Sequence, residues 1–403
     1  MAMIKILFVD DEPNILEGLQ RMLRSLRHEW EMSFAGSGTE ALALLEKKKI
    51  DVIVTDMRMP GMDGSDLLQR VSDLHPNIVR IVLSGFSEKE INMRSVGRAH
   101  QYLTKPCDPE LLKTTVNKVC SLRDLLTDES LRELVSQLPT VPSLPILYSE
   151  LVGELRNELA SSHKVADIIR KDIGMTVKIL QIVNSAFFGL RQHISDSRTA
   201  VEFLGLDTIS SLTLGLGVIS QFELHTSGVF FADLWAHSMA VGVAANKIAM
   251  MEDPSLGNEA FTAGLLHDIG KVILAVNLPD KFGTVQHQVK AGIPVMEAEK
   301  ATYGATHSEI GAYLLGLWGL PNQVVQGVAF YHTPAAEKSG RFSVVAAVHA
   351  ANGLHPSLTS SATDFPSDEI DLEYIDSLGL LERIPVWRNR CASLDVETAR
   401  IQL

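Results

Sequence analysis

The sequence predicts two domains of different class: a doubly wound α/β domain on a five-stranded parallel sheet, then an all-α domain. Three observations predict this. Up to about residue 125, short apolar runs and helix-spaced apolar residues alternate five times, the pattern of successive βα units. Polar residues stand at the ends of these runs: Asp10, Asp11, Asp56, Ser84 and Lys105. From about Pro139 strand character nearly vanishes, and apolar residues recur at helical spacing with Gly, Pro and Asn as punctuation.

In order, Ile4–Val9 reads as a buried strand and Asn14–Leu26 as a helix with Ile15, Leu19, Met22, Leu23 and Leu26 on one face. A short strand at Met32–Ala35, a helix at Thr39–Lys47, the strand Val52–Thr55 and a helix at Ser65–Leu74 follow. The strand Val79–Leu83, a helix at Glu88–Arg98, the strand Gln101–Leu103 and a helix from Pro109 complete the series. Parallel strands need helical crossovers and become buried on both faces. Strand ends then converge on one edge, where open α/β sheets place their chemistry.

What meets there is specific. Asp10, Asp11 and Asp56 are three carboxylates in one place, which repel unless a cation joins them, and hard oxygen ligands suit Mg²⁺. The Ser84 hydroxyl and the Lys105 ammonium would satisfy a tetrahedral anion carried on Asp56. The motifs VDDEP, TDMRMPGMDG, LSG and LTKP stand in register over the whole segment. Residues 1–125 therefore resemble the receiver domain of two-component response regulators. The resemblance implies Asp56 as the phosphoacceptor and a partner sensor histidine kinase as phosphodonor. It implies Mg²⁺ held by Asp10, Asp11, Asp56 and the Arg58 carbonyl, and Ser84 and Lys105 on the phosphoryl group. It also implies Tyr102 as the aromatic switch and a cis Lys105–Pro106 bond. A surface spanning about Ser87–Leu122 would repack and pass the signal on.

Between Val116 and Leu138 apolar residues recur at three- and four-residue steps, but Thr127-Asp128-Glu129-Ser130 reads as a break and a new helix cap. Two readings stay open: a short linker helix over 126–138, or one continuous helix that dimerises. LPTVPSLP then ends any helix.

In the second domain, Ala166–Val183 and Thr208–Phe222 read as helices with wide apolar faces. Its chemistry lies in AGLLHDIGK, where His267 and Asp268 sit inside an apolar run. Such a pair is costly to bury unless it is paired or binds metal. Adjacent helical residues point about 100° apart, so closing one site requires groups from elsewhere, with His237, His307, His332 and Asn352 as candidates. A His/Asp set of this kind suits Mn, Fe or Zn activating water on a phosphate ester; a satisfied core network is the other reading. The segments LPTVPSLP, IIRKDIGMTVKILQIVNSAFFG, SRTAVEFLGLDTI, FTAGLLHDIGK, ATHSEIGAYLLGLWGLP and YHTP resemble the HDOD domain, a divergent relative of HD-type metal-dependent phosphohydrolases, over 139–340. By that resemblance His237, His267, Asp268 and Lys271 match the HD pattern. His307 and His332 fall where HD-GYP phosphodiesterases carry further ligands. Asn352 stands in for a closing aspartate, with His349 near it, and no HHExxDGxGYP segment is present. Residues 341–403 read as a C-terminal helical extension. It includes a Ser/Thr/Pro-rich segment, His355–Asp371, expected to be mobile, and a helix near Ile370–Leu381.

Bulk numbers exclude other classes. With 36 basic against 49 acidic residues and a formal charge of −13, the balance argues against a large phosphate-binding surface, and no nucleic-acid partner is expected. Three cysteines without CxxC spacing point to reduced thiols. Neither a signal peptide nor a membrane span is recognisable, so a cytoplasmic protein is expected. No GxxxxGK[ST] or GxGxxG loop is present. The expected function is a phosphorelay response regulator whose HDOD output acts on an unknown downstream protein, with a homodimer through the receiver or linker helix as one arrangement. The alternative is a receiver-gated, metal-dependent phosphodiesterase of cyclic nucleotides such as cyclic di-GMP.

Overall fold

The computed structural model describes residues 3–84, 99–123, 126, 128–138, 145–157, 160–184, 193–210, 213, 228–354 and 370–392. They divide into two compact units: the first holds the described residues up to 138 together with 181–184 and 316–319, and the second holds the rest.

In the first unit, β1 (Ile4–Val9), β2 (Trp30–Ala35), β3 (Val52–Asp56), β4 (Val79–Ser84) and β5 (Gln101–Thr104) form one parallel sheet in the order β2-β1-β3-β4-β5. The order reverses direction at β1 and β3, which therefore define the switch point of the sheet. Every residue of β3 is buried, as a strand covered on both faces requires. The helices α1 (Pro13–Met22), α2 (Gly38–Leu45), α3 (Gly64–Leu74) and α4 (Pro109–Arg123) connect and cover it. The helix expected at Glu88–Arg98 lies outside the described residues.

Two boundaries differ from expectation. The helix expected to run to Leu26 ends at Met22 and tightens into a 3₁₀ turn at Arg24–Leu26, which still buries Leu23 and Leu26. β2 begins at Trp30 because this ring is buried and pairs with Ile4.

The break after α4 is real: α5 (Glu129–Gln137) is a separate helix, and Asp128 caps it by accepting from the Leu131 amide at 2.9 Å. It buries Leu131 and Val135 within the first unit. Beneath it, burial and then the Arg80 charge push the His100 imidazole well below its ordinary value of 6.5. A histidine held neutral when folded lets the unfolded chain take up the proton first, so its contribution is complete above pH 6.5 and is lost as pH falls below. Hydrogen exchange at β4 and β5 amides, corrected for intrinsic rate, is expected to show local stability falling by up to about 1.4 kcal/mol per pH unit from about pH 6 to about pH 5. In His100→Gln that slope disappears; an equal slope in the variant would refute the assignment.

The second unit is helical. The helix expected over Ala166–Val183 is two, α7 (Ser162–Arg170) and α8 (Ile173–Val183), after α6 (Pro145–Leu155). Asp172 makes the break: one oxygen accepts from the Met175 amide at 2.7 Å and the other from Trp235 Nε1 at 3.3 Å. Next come α9 (Ser197–Leu204) and α10 (Leu206–Ser210); most of the helix expected at Thr208–Phe222 lies outside the described residues. The core is built by α11 (Gly228–Glu252), α12 (Gly257–Leu266), α13 (Ile269–Asn277), α14 (Pro279–Lys290), α15 (Val295–Tyr303), α16 (His307–Leu317), α17 (Asn322–Phe330) and α18 (Val344–Leu354).

The extension after α18 is part of this core. Its described part is α19 (Leu372–Ser377), shorter than the helix expected over Ile370–Leu381, and α20 (Ile384–Ala392). Ile375 and Trp387 have no exposed surface. Trp387 Nε1 and Arg383 Nε both donate to Glu252 Oε1 at 2.8 Å, at the end of α11. The Asp371 amide donates to His349 Nε2 at 2.8 Å, and His349 Nδ1 donates to the Tyr331 carbonyl at 2.8 Å. Most of the segment expected to be mobile, residues 355–369, lies outside the described residues.

Candidate functional site

Two clusters of charge stand out, one in each unit. In the first, Asp10 follows β1 and Asp56 ends the neighbouring β3, both almost fully buried at the carboxyl edge of the sheet. Lys105, just after β5, sends its ammonium between them, 2.7 Å from Asp10 Oδ2 and in contact with Asp56 Oδ1. The second oxygen of each carboxylate takes a backbone amide: Glu12 donates to Asp10 Oδ1 at 3.0 Å and Arg58 to Asp56 Oδ2 at 2.9 Å. Burial raises the Asp56 pKa in spite of the Lys105 hydrogen bond and charge. Burial works against the ammonium too, but the bonds to Asp10 and Asp56 outweigh it and hold Lys105 above its usual value.

The loop after Asp56 turns back tightly. The Gly64 amide donates to the Met57 carbonyl at 2.9 Å, and a Cβ at Gly64 would strike the Asp56 carbonyl oxygen and lie 2.9 Å from Met57 Cα. Only glycine lets the backbone pass this close. Of the remaining sequence-predicted residues, Asp11 is half-buried, Arg58 is exposed, and Tyr102 is half-buried against the core. Ser84 ends β4 opposite Thr104, but its side chain lies outside the described residues. The Lys105–Pro106 bond is cis. Two carboxylates converging on one cation, with a third next in the chain, fit a hard divalent ion such as Mg²⁺.

In the second unit the His-Asp pair is not inside a helix. α12 ends at Leu266 and α13 begins at Ile269, and Asp268 between them has φ −99° and ψ 12°. The break turns the two side chains together, with His267 Nε2 3.4 Å from Asp268 Oδ2. His237 Nε2, from α11, lies 3.9 Å from the same oxygen. One ligand atom from each of these three buried residues falls within 4.8 Å of the others. His267 Nδ1 must donate to the Gly264 carbonyl at 2.7 Å, which leaves the lone pair on Nε2. Among the described residues that nitrogen has no hydrogen-bond partner. Burial first of all pushes this imidazole down to about 3, so it is neutral. A neutral imidazole with an orphaned lone pair fits a transition metal.

Asp268 is nevertheless well supplied without one. Lys271 Nζ reaches Oδ2 at 2.8 Å, and the Tyr331 hydroxyl donates to Oδ1 at 2.8 Å. Burial opposes its ionisation, yet the Lys271 charge and the His307 side chain hold the carboxyl well below the usual range. His307 lies between two carboxylates: Nδ1 is 2.7 Å from Glu299 Oε2 and Nε2 is 3.4 Å from Asp268 Oδ1. Burial disfavours its charge, but Glu299 and Asp268 raise its pKa above the ordinary value. With Nδ1 on Glu299 and Nε2 2.7 Å from the Tyr331 hydroxyl and 2.9 Å from His332 Nε2, both ring nitrogens already have partners, so His307 as placed suits a polar network better than a ligand set. Half-buried His332 lies 2.9 Å from His307 through Nε2.

Among the described residues no hydrogen bond joins Asn352 to Asp268 or to these histidines; it is buried on α18, one turn from His349. The sequence reading missed Glu299 and Tyr331, which complete the network. A glutamate with 1% exposure in the otherwise ordinary helix VMEAEKATY carries no local signal of burial. Tyr331 was visible as the neighbour of His332.

A family model described as the response regulator receiver domain matches residues 6–117, and one described as the HDOD domain matches residues 141–334. The chain belongs to the response regulators that join a receiver domain to an HDOD output domain. It is 40% identical over 119 residues to the hydrogenase transcriptional regulatory protein HoxA of Bradyrhizobium diazoefficiens, a match covering 29% of this chain and 24% of that protein. The chain thus spans about a quarter of that curated relative's length. Among solved structures it is similar to the MmoQ response regulator of Methylococcus capsulatus, with 21% identity, a TM-score of 0.45, and coverage of 59% of this chain and 98% of that one. It is also similar to an HDOD domain protein of unknown function from Geobacter sulfurreducens, with 21% identity, a TM-score of 0.39, and coverage of 71% and 96%.

Proposed function

We propose that a sensor histidine kinase phosphorylates Asp56 and that the HDOD domain answers by binding or releasing a downstream protein. One observation carries the first half: the Lys105 ammonium is already placed against both Asp56 and Asp10, where charge develops during phosphoryl transfer. Mg²⁺, held by Asp10, Asp11, Asp56 and the Arg58 carbonyl, would neutralise the incoming phosphoryl oxygens. Ser84 would bond one of these oxygens, and Tyr102 would turn inward into the space that Ser84 vacates.

A protein-interaction output is supported by the internal balance of the second cluster. Lys271 and Tyr331 take both oxygens of Asp268, and Glu299 accepts from His307 Nδ1. Such a network needs no metal for its charges to be paired. The orphaned Nε2 of His267 favours a second reading, a phosphodiesterase with one metal on His237, His267 and Asp268. That metal would supply an activated water, and Lys271 would meet the phosphate.

The two readings separate in one experiment. Metal content of the purified full chain is measured together with hydrolysis of cyclic di-GMP and cyclic mononucleotides, with and without beryllofluoride. The interaction reading expects substoichiometric metal and no turnover. Stoichiometric Mn, Fe or Zn with turnover lost in His267→Ala would establish the phosphodiesterase instead.

A further inference from the structure

Arg80, the second residue of β4, carries a guanidinium with 2% exposure in the first unit. Its backbone amide donates to His100 Nδ1 at 3.0 Å, which leaves the ring proton on Nε2. That proton is donated to the Ser136 carbonyl at 3.0 Å, and the Arg80 guanidinium donates to the same oxygen at 2.9 Å. Ser136 lies in the last turn of α5, where carbonyls lack intrahelical partners and the helix end is negative. A second tether runs from Asn77 Nδ2 to Glu133 Oε1 at 2.9 Å. α5 is thus held by its C-terminal turn in a slot built by the start of β4 and the residue before β5.

The slot shares a face with the switch residue Tyr102. The register sets Val82 beside Tyr102 and Ser84 beside Thr104, and the His100 amide bonds to the Arg80 carbonyl at 2.8 Å, one step further along. Residues two apart on a strand point to one side. Arg80 and His100, then Val82 and Tyr102, are therefore successive rungs on one face of the β4–β5 ladder, and the backbone pair Ser84–Thr104 follows two residues on. The slot lies at the opposite end of that ladder from Asp56.

We propose that α5 is a latch, gripped by Arg80 and His100, which loosens when phosphorylation of Asp56 draws the Ser84 and Tyr102 rungs toward the carboxyl edge. The latch rests on the phosphoacceptor reading of Asp56. The grip concentrates on one carbonyl, so a small displacement of the ladder lengthens two hydrogen bonds at once, one of them charge-assisted.

The test is hydrogen exchange of the full chain with and without beryllofluoride and Mg²⁺. Amides of residues 129–137 are expected to exchange at least about tenfold faster in the activated form, and Asp56→Asn is expected to remove the effect. Altered exchange at residues 56–64 and 101–104 with none at 129–137 would overturn the latch alone. An acceleration that persists in Asp56→Asn would overturn it as well. No change at any of these segments would overturn the latch and the phosphoacceptor reading together.

Discussion

Asp56→Asn is expected to reduce phosphoryl incorporation from a small acyl phosphate to background, with the rest of the fold intact. In the proposed reaction an Asp56 carboxylate oxygen bonds to phosphorus as the bond to the donor's leaving oxygen breaks. The negative charge then resides on the phosphoryl oxygens and the departing group. An amide lacks the negative oxygen that begins this step. The side chains are otherwise alike in shape, so the Arg58 amide keeps its acceptor if the amide oxygen takes the Oδ2 position. Lys105→Met is expected to label more slowly without losing the acceptor, because it removes only the ammonium beside Asp56. The measurement is radiolabel retained on the full chain and released by hydroxylamine, as an acyl phosphate would be. Label persisting in Asp56→Asn would move the acceptor elsewhere, with Asp10 and Asp11 the next residues to test.

The second large effect is structural. A Cβ at Gly270 would overlap the His307 carbonyl oxygen and lie 2.6 Å from the His307 carbonyl carbon and 2.9 Å from its Cα. These are backbone atoms, so no rotamer change relieves the clash. Only a shift of α13 against α16 can, and that shift would pull Asp268 away from His307. Gly270→Ala is expected to cost about 3 kcal/mol, the upper part of the overpacking range. For a domain of this size that lowers Tm by roughly 6–12 °C. Gly153→Ala is the control. It lies within α6, a Cβ there meets nothing within 4 Å, and alanine is the better helix former by about 0.5–1 kcal/mol. Calorimetry of the full chain should show the second domain melting earlier in the first variant and no earlier in the control. A Gly270→Ala protein melting like the parent would refute the packing argument.

The receiver fold was legible because its signals are local and repeated. Apolar runs such as Val52–Val54 can be little else than buried strands, and the strand-end residues needed only the rule that parallel ends converge. Their real geometry adds what no pattern shows: Lys105 joins Asp10 to Asp56, although it lies 95 residues from the first. The helical domain was legible in class but less so in detail. Asp172 read as part of one long helix, because nothing local reveals that Trp235 bonds its second oxygen. The His267-Asp268 pair read as helical for the same reason, whereas its chemistry depends on the chain breaking there. Glu299 was invisible because a buried ion is defined by its distant counter-ion, here His307, and not by its neighbours.

The ties made by α19 and α20 bear on where this chain can be cut. The HDOD match ends at residue 334, yet Trp387 is fully buried and is bonded to Glu252 on the helix that carries His237. Asp371, likewise past that boundary, fixes the ring that holds the Tyr331 backbone. A fragment trimmed to the family limits would strand Glu252 without its arginine and indole and bare the apolar side of α18. The unit of inheritance and the unit of folding therefore differ in this protein, and only a piece reaching Ala392 preserves the second.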